Sequence, residues 1–277
     1  MDTIMRRWLN FMVEGAACAA TLDLPEGAAH PHGLLIVSGG NEIRTGAHRG
    51  MARLAAAVAA AGHPVWRFDR RGVGDSEGEN GGFEASAADT TAAAKAFRAA
   101  CPAMTRVTAL GNCDAASALA LHHRGSAIDG LLLANPWLID APGDAGQAIA
   151  LPPAAAIRAR YAARLRDPAQ WLRLLSGGVD LGKLLRGLRS AQGAPTPGPL
   201  AMRLAGAMGG AAVPVTVLLA AKDGTAQAFA AAWRDAAFAE ARNKARVATV
   251  DSASHGFADD VARAWLEAQV LAALRAS

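Results

Sequence analysis

Short apolar runs alternate with longer amphipathic segments along most of the chain. Residues 33–38 are continuously apolar, as in a strand that is covered on both faces. The apolar spacing of residues 48–61 predicts a helix that ends at Gly62. The same alternation predicts strands at 64–68, 106–110, 130–134, 213–220 and 246–250, and helices at 84–100, 225–240 and 258–274. Repeated units of this kind predict a mostly parallel sheet with helices on both faces.

Two regions depart from this alternation. Residues 8–24 form two short runs around a Glu-Gly pair, which predicts a β-hairpin. Residues 138–212 contain no clear strand, although helical spacing recurs there. We therefore expect a core in two parts, 1–137 and 213–277, with a helical cap inserted at 138–212.

The composition suits a soluble protein with a large core. The chain has 277 residues, 52% of them hydrophobic, and no apolar run reaches the roughly 18 residues that a membrane helix needs. The three cysteines, Cys18, Cys101 and Cys113, have no metal-like spacing and form no disulfide framework. Reduced thiols fit the cytoplasm. We expect a cytoplasmic protein with no metal, no cofactor and no integral membrane segment, and we leave a homodimer open.

Basic residues are concentrated in the predicted cap. Between Leu151 and Gly210 the chain has nine basic and two acidic residues, although the whole chain has a net charge of only +4. Two interpretations stay open: an amphipathic cap with solvated arginines, or a lid that attracts an anionic substrate, carrier or surface. Aromatic residues are not interleaved with the basic ones, so we expect no nucleic-acid partner.

The segment Leu110-Gly111-Asn112-Cys113-Asp114-Ala115 joins a predicted strand to a helix that opens with small residues. This is the setting of a nucleophile elbow, whose usual form is G-x-S-x-G. Here cysteine replaces serine, and Ala115 stands in the place of the second glycine. For Cys113 taken alone, a buried core cysteine is the alternative interpretation.

A cysteine nucleophile needs a base that raises its thiolate fraction, and the base needs an orienting group. Where such an elbow occurs, the order along the chain is nucleophile, acid and histidine, each in a loop after a strand. Asp223 follows the predicted strand 213–220, and His255 follows the predicted strand 246–250. The order and the positions favour a Cys113, His255 and Asp223 triad over a turn aspartate and a surface-loop histidine.

Acyl transfer also needs backbone donors for a developing oxyanion. The N–H of Asp114, just after the nucleophile, is one candidate, and the loop after residues 33–38 supplies the other, with Asn41 first and Gly40 second. The Asp114 carboxylate opposes thiolate formation but suits the first turn of a helix. The candidate substrate-binding residues are Trp137, Arg158 and Tyr161.

Several segments resemble known hydrolases. Residues 69–76, Asp-Arg-Arg-Gly-Val-Gly-Asp-Ser, resemble the D-x-R-G-x-G-x-S loop after the fourth strand of many α/β-hydrolases. More narrowly, residues 38–49, 67–78, 111–115 and 135–137 resemble the exosortase A system-associated hydrolases. These are bacterial α/β-hydrolases linked to exopolysaccharide and sorted-protein export. We therefore expect an α/β-hydrolase fold with a mostly parallel, eight-stranded sheet, helices on both faces and a helical cap after the sixth strand.

The function that we expect is hydrolysis of an ester or thioester through an acyl intermediate on Cys113. The substrate would be a small molecule or a carrier-bound acyl group. Three alternatives stay open: an acyltransferase that uses the same triad, a non-catalytic α/β-hydrolase-like binding protein, and a membrane-surface or polysaccharide binder that works through the cap arginines.

Overall fold

One eight-stranded sheet organises the protein. The computed structural model describes residues 4–140 and 197–276. The strands are β1 (Ile4–Val13), β2 (Ala16–Pro25), β3 (His32–Val37), β4 (Val65–Phe68), β5 (Arg106–Asn112), β6 (Gly130–Ala134), β7 (Val215–Ala220) and β8 (Arg246–Val250). They pair in the order β1-β2-β4-β3-β5-β6-β7-β8. Strand β2 is antiparallel to β1 and β4, and all other pairs are parallel. The mostly parallel, eight-stranded sheet expected from the sequence is confirmed.

Helices follow most of the parallel strands. In the described part of the chain they are α1 (Gly50–Ala60), α2 (Ala87–Ala100), α3 (Asp114–His122), α4 (Pro199–Gly209), α5 (Gly224–Ala232), α6 (Ala239–Lys244) and α7 (Asp260–Arg275). Short 3-10 turns lie at Ala47–Arg49, Phe83–Ala85 and Ala236–Phe238. Of the helices within residues 4–140 and 197–276, none is long and apolar enough to cross a bilayer.

The continuous apolar run of β3 reflects a sheet that is covered on both faces. Leu34 and Ile36 pack into one core cluster with residues of α1 and α7. Leu35 and Val37 point the other way and join a second cluster, to which α2, α3, α4, α5 and α6 contribute. Because neighbouring side chains of a strand point to opposite faces, both sets must be apolar.

Most of the predicted cap lies outside the described residues, which resume at residue 197. Helix α4 is the described helix inside the interval 138–212. Its Leu200, Leu204 and Met208 are buried and belong to the same core cluster as α3.

The single helix predicted for residues 225–240 is wrong, because the helix is interrupted after Ala232. Asp235 begins a new turn there, and its side chain accepts a hydrogen bond from the backbone N–H of Ala237. Trp233 stacks on Phe229 with ring centroids 5.3 Å apart, just before the break. Aspartate commonly competes with helix continuation in this way, by bonding to nearby backbone N–H groups.

A buried ion pair links the antiparallel strands β2 and β4 beneath the loops. The Nε and Nη2 atoms of Arg67 lie 3.2 and 3.0 Å from Oδ2 of Asp23, and both side chains are almost fully buried. The third guanidinium nitrogen donates to the carbonyl oxygen of Arg44 at 2.8 Å. Arg6 contacts the other carboxylate oxygen of Asp23. All three nitrogens of the Arg67 guanidinium therefore have partners.

We expect Asp23→Ala to destabilise the fold by about 3–5 kcal/mol, because it leaves the Arg67 charge buried without its carboxylate. Urea unfolding of the variant and the wild type measures the difference. Asp251→Ala is the control: Asp251 contacts Lys222 in an exposed pair, so its loss should change the free energy of unfolding by no more than about 0.5 kcal/mol. Equal effects of the two substitutions would contradict this account.

Candidate active site

The turn between β5 and α3 holds Cys113 in an uncommon backbone conformation. Its φ is 61° and its ψ is −125°, a region that non-glycine residues rarely occupy and that is found at functional sites. A Cβ on Gly111 would lie 2.6 Å from the carbonyl carbon of Ala115, so only glycine lets α3 pass so close to β5. Ala115 itself lies inside α3, where alanine needs no special conformation. The local geometry is that of a nucleophile elbow.

The loops after β7 and β8 bring Asp223 and His255 together. The Nδ1 atom of His255 lies 3.1 Å from Oδ1 of Asp223. The other oxygen of Asp223 accepts a hydrogen bond of 2.9 Å from the backbone N–H of Ala226 and so caps α5. One carboxylate therefore both begins a helix and orients an imidazole. The His255 side chain is 41% exposed, which leaves it within reach of a substrate.

The electrostatics of the pair favour a charged imidazole. Burial alone would raise the pKa of Asp223, but hydrogen bonds from His255 and from backbone N–H groups outweigh burial and lower that pKa. Hydrogen bonds to Asp223 and to Cys113 raise the pKa of His255 to about 10, against the opposing effect of burial. At neutral pH, His255 is then an imidazolium beside the sulfur of Cys113.

The oxyanion candidates on the β3 loop differ in their surroundings. The backbone N–H of Gly40 donates to Oδ1 of Asp114 at 2.7 Å. A Cβ on Gly39 would lie 2.5 Å from the same oxygen, so the carboxylate lies directly against the loop. Asn41 is exposed, and its side-chain oxygen accepts a hydrogen bond of 2.8 Å from Asn80. The N–H of Gly40 is therefore directed towards the elbow, and Asp114 already occupies it.

Two asparagines, for which the sequence predicted no role, hold the loop that contains His255. Nδ2 of Asn112 and Nδ2 of Asn135 donate to the carbonyl oxygen of His255 at 3.2 and 3.0 Å. Asn135 is fully buried, and its side-chain oxygen accepts from the backbone N–H of Ala220 at 2.9 Å. The sequence does contain a feature that could have indicated this role: an asparagine stands at the carboxyl end of each of two neighbouring parallel strands, β5 and β6.

The glycine-rich loop after β4 is held by its own polar groups. Oδ1 of Asp69 accepts from the backbone N–H of Arg44, and Oδ2 accepts from the N–H of Asp75 at 3.3 Å. The hydroxyl of Ser76 donates to the carbonyl oxygen of Asp69 at 2.8 Å. A Cβ on Gly74 would lie 2.5 Å from the Asp69 carboxylate. The motif therefore builds a compact loop beside the site.

Of the remaining candidates, Trp137 lies among the described residues and the other two lie outside them. Trp137 lies next to the elbow: its backbone N–H donates to the carbonyl oxygen of Cys113 at 3.2 Å, and its indole N–H donates to Ile139. Arg158 and Tyr161 lie outside the described residues. Within residues 4–140 and 197–276 there is no cluster of three or more potential metal ligands.

The chain is similar to known proteins in both sequence and structure. A family model described as "Alpha/beta hydrolase family" matches residues 32–273. An esterase from Pyrococcus furiosus has a TM-score of 0.64 and 14% identity, covering 98% of this chain and 91% of that chain. A brefeldin A esterase, a bacterial homologue of human hormone-sensitive lipase, has a TM-score of 0.60 and 19% identity, with 99% and 75% covered. A hydrolase from Pseudomonas aeruginosa PA01 has a TM-score of 0.55 and 22% identity, with 98% of both chains covered. No curated protein matches the sequence.

We expect iodoacetamide to alkylate Cys113 at pH 6.5 about ten-fold or more slowly in His255→Ala than in the wild type, because a histidine beside a cysteine activates it as a nucleophile. Interactions with Asp223 and Cys113 raise the pKa of His255 to about 10, so its imidazolium is present at this pH. Peptide mass spectrometry at several pH values measures the rate at each cysteine.

Cys18 and Cys101 are internal controls in the same samples, because burial raises the pKa of both thiols. They should react only at higher pH. If Cys113 reacts no faster than Cys101 at pH 6.5, or equally fast in His255→Ala and the wild type, His255 does not activate the sulfur.

Proposed function

Because the chain belongs to the alpha/beta hydrolase family, we propose that it hydrolyses esters or thioesters with Cys113 as nucleophile, His255 as acid and base, and Asp223 as the orienting carboxylate. The observation that carries the proposal is the position of His255. Its Nδ1 atom lies 3.1 Å from Oδ1 of Asp223, and interactions with Asp223 and Cys113 raise its pKa. The backbone of Cys113 itself is strained. A buried structural cysteine would need neither feature.

In the first half of the reaction the thiolate of Cys113 attacks the carbonyl carbon. A carbon–sulfur bond forms, and the carbonyl π electrons move to oxygen as the oxyanion. When the oxyanion collapses, the bond to the leaving oxygen or sulfur breaks. The imidazolium of His255 gives its proton to that atom, which leaves as an alcohol or thiol. The products of this step are acyl-Cys113 and a neutral imidazole.

In the second half water replaces the leaving group. The neutral His255 takes a proton from water as the water oxygen bonds to the acyl carbon. Collapse of the second oxyanion breaks the carbon–sulfur bond, which releases a carboxylic acid and the Cys113 thiolate. The imidazolium and thiolate are restored together. If an alcohol, amine or thiol takes the place of water, the same steps describe an acyltransferase.

The narrower family proposal rests on sequence motifs around the site. The Gly-x-Cys-Asp elbow at residues 111–114 and the Asn135-Pro136-Trp137 segment support placing the chain with the exosortase A system-associated hydrolases. Two proteins of this fold with solved structures are named esterases, which supports an ester or a related thioester as the substrate class. The substrate would be a small molecule or a carrier-bound acyl group.

A non-catalytic binding protein is the second candidate function, and the Asp114 contact favours it. A carboxylate that holds the N–H of Gly40 occupies a donor that an acyl-transfer enzyme needs for the oxyanion. The two candidates differ in whether Cys113 is acylated.

Turnover of p-nitrophenyl acetate and butyrate tests the proposed function. Cys113→Ala and His255→Ala should each lower kcat by about 10⁴-fold or more, because triad members act as a unit. Cys101→Ala should retain wild-type turnover, since Cys101 lies outside the site. Equal turnover by the wild type and Cys113→Ala, or no turnover by a folded wild type with these esters and an acyl-CoA panel, would contradict the proposal.

Asp114→Ala should raise kcat/KM for the same esters by about ten-fold, the factor expected when one charge-assisted hydrogen bond no longer has to be broken before the oxyanion can bind. Asp114→Asn keeps an acceptor for Gly40 without the charge, so its rate should lie between those of the wild type and Asp114→Ala. Steady-state kinetics measures both. A folded Asp114→Ala enzyme that is slower than the wild type would instead make Asp114 a positioning residue for Gly40.

A further inference from the structure

Arg70, in the loop after β4, has a buried guanidinium with incomplete hydrogen bonding. The residue is only 5% exposed. Its Nη2 atom donates to the carbonyl oxygen of Gly40. Its Nη1 atom is buried and has no hydrogen-bond partner among residues 4–140 and 197–276. A buried N–H group without a partner is costly and rare in folded proteins.

The other two buried arginines of the described chain are paired differently. The guanidinium of Arg44 contacts the carboxylates of Asp69 and Asp75, and that of Arg67 contacts Asp23. Arg70 has no carboxylate partner within the described ranges, and a backbone carbonyl is its sole acceptor there. Since buried charges are ordinarily paired, Arg70 has the character of a binding group whose anion comes from another molecule.

Arg70 also lines a cavity of about 270 Å³ beside the β3 loop, together with Arg71, Asn80 and Ser86. That volume is close to the lower end of small-molecule sites, about 300 Å³. Arg71 is already bound to the carboxylates of Asp89 and Glu14. Two acidic residues also line the cavity: Asp89, which is paired with Arg71, and Glu79, which is exposed.

Arg70 is linked to the proposed catalytic centre by hydrogen bonds through Gly40. Arg70 holds the carbonyl oxygen of Gly40, and the N–H of Gly40 faces Asp114, the neighbour of Cys113. We propose that Arg70 binds an anionic oxygen group of the substrate, a carboxylate or a phosphate, while its reacting carbonyl lies at Cys113. This proposal rests on the proposed function and specifies its substrate class as anionic acyl esters or thioesters.

Two substrate pairs, each with one neutral and one anionic member that share an acyl length, test this inference. In the first pair, p-nitrophenyl butyrate is compared with mono-p-nitrophenyl succinate, which has the same acyl length and ends in a carboxylate. In the second, S-butyryl-N-acetylcysteamine is compared with butyryl-CoA, which carries phosphates on the leaving group. Wild-type kcat/KM should favour the anionic member of one pair by at least about ten-fold, as expected for a charge-assisted hydrogen bond. The pair that shows the preference identifies the source of the anion.

Arg70→Met should abolish that preference, and Arg70→Lys should retain part of it, because lysine keeps the charge but not the forked geometry. The ratio within a pair cancels any effect of the substitution on Gly40, since both members use the same oxyanion donors. Arg234→Met removes an exposed arginine outside the cavity lining and should leave the ratio unchanged. Thermal unfolding establishes that each variant is folded.

A binding measurement separates failure of this inference from failure of the proposed function. Calorimetric titration of the Cys113→Ala protein with succinate and with inorganic phosphate should detect binding of one of them, and adding Arg70→Met should weaken it by about ten-fold or more. Binding that depends on Arg70 supports the subsite even if no ester is turned over. Turnover without a charge preference in either pair, a preference that survives Arg70→Met, or the absence of binding of either anion would overturn the proposal.

Discussion

The close approach of α3 to β5 at Gly111 is the constraint on which the site depends. With no side chain at Gly111, the backbone of Ala115 can lie where a Cβ would otherwise be, so the chain must reverse within Asn112 and Cys113. That reversal gives Cys113 its positive φ and presents its sulfur at the carboxyl edge of the sheet. The loops after β3, β7 and β8 begin at the same edge, because β3, β5, β6, β7 and β8 all run in the same direction.

Charge distribution at this edge then sets the chemistry. Asp223 is held by the N-terminus of α5 and pairs with His255. The carboxylate of Asp114 accepts a hydrogen bond from the N–H of Gly40, and the guanidinium of Arg70 donates to the carbonyl oxygen of the same glycine. Gly40 therefore contacts a negatively charged group through its N–H and a positively charged group through its carbonyl oxygen. A substrate with an anionic group remote from its carbonyl complements that arrangement, because its charge meets Arg70 while its carbonyl oxygen competes with Asp114.

The strands of the sheet and the three residues of the proposed triad were predictable from the sequence, because both depend on local patterns. The apolar run of β3 predicted a buried strand, and the positions of Cys113, Asp223 and His255 after strands predicted which side chains would share one edge. What could not be predicted depends on contacts between distant segments. The bond from Gly40 to Asp114 spans two loops, as do the bonds from Asn112 and Asn135 to His255. The interruption of the helix before Asp235 could have been predicted, since aspartate is a common helix-start residue. The surrounding alanines, however, favour a continuous helix.

Formation of an acyl-enzyme on Cys113 is the central claim, and rapid acid quenching of the wild type during turnover of p-nitrophenyl acetate tests it most directly. The proposed mechanism predicts that peptide mass spectrometry finds one added acetyl group, on the peptide that contains Cys113. In Cys113→Ala that addition should be absent, while the peptides with Cys18 and Cys101 stay unmodified in both proteins. Turnover without an acetylated Cys113, or an acetyl group that forms equally in the Cys113→Ala variant, would contradict the mechanism.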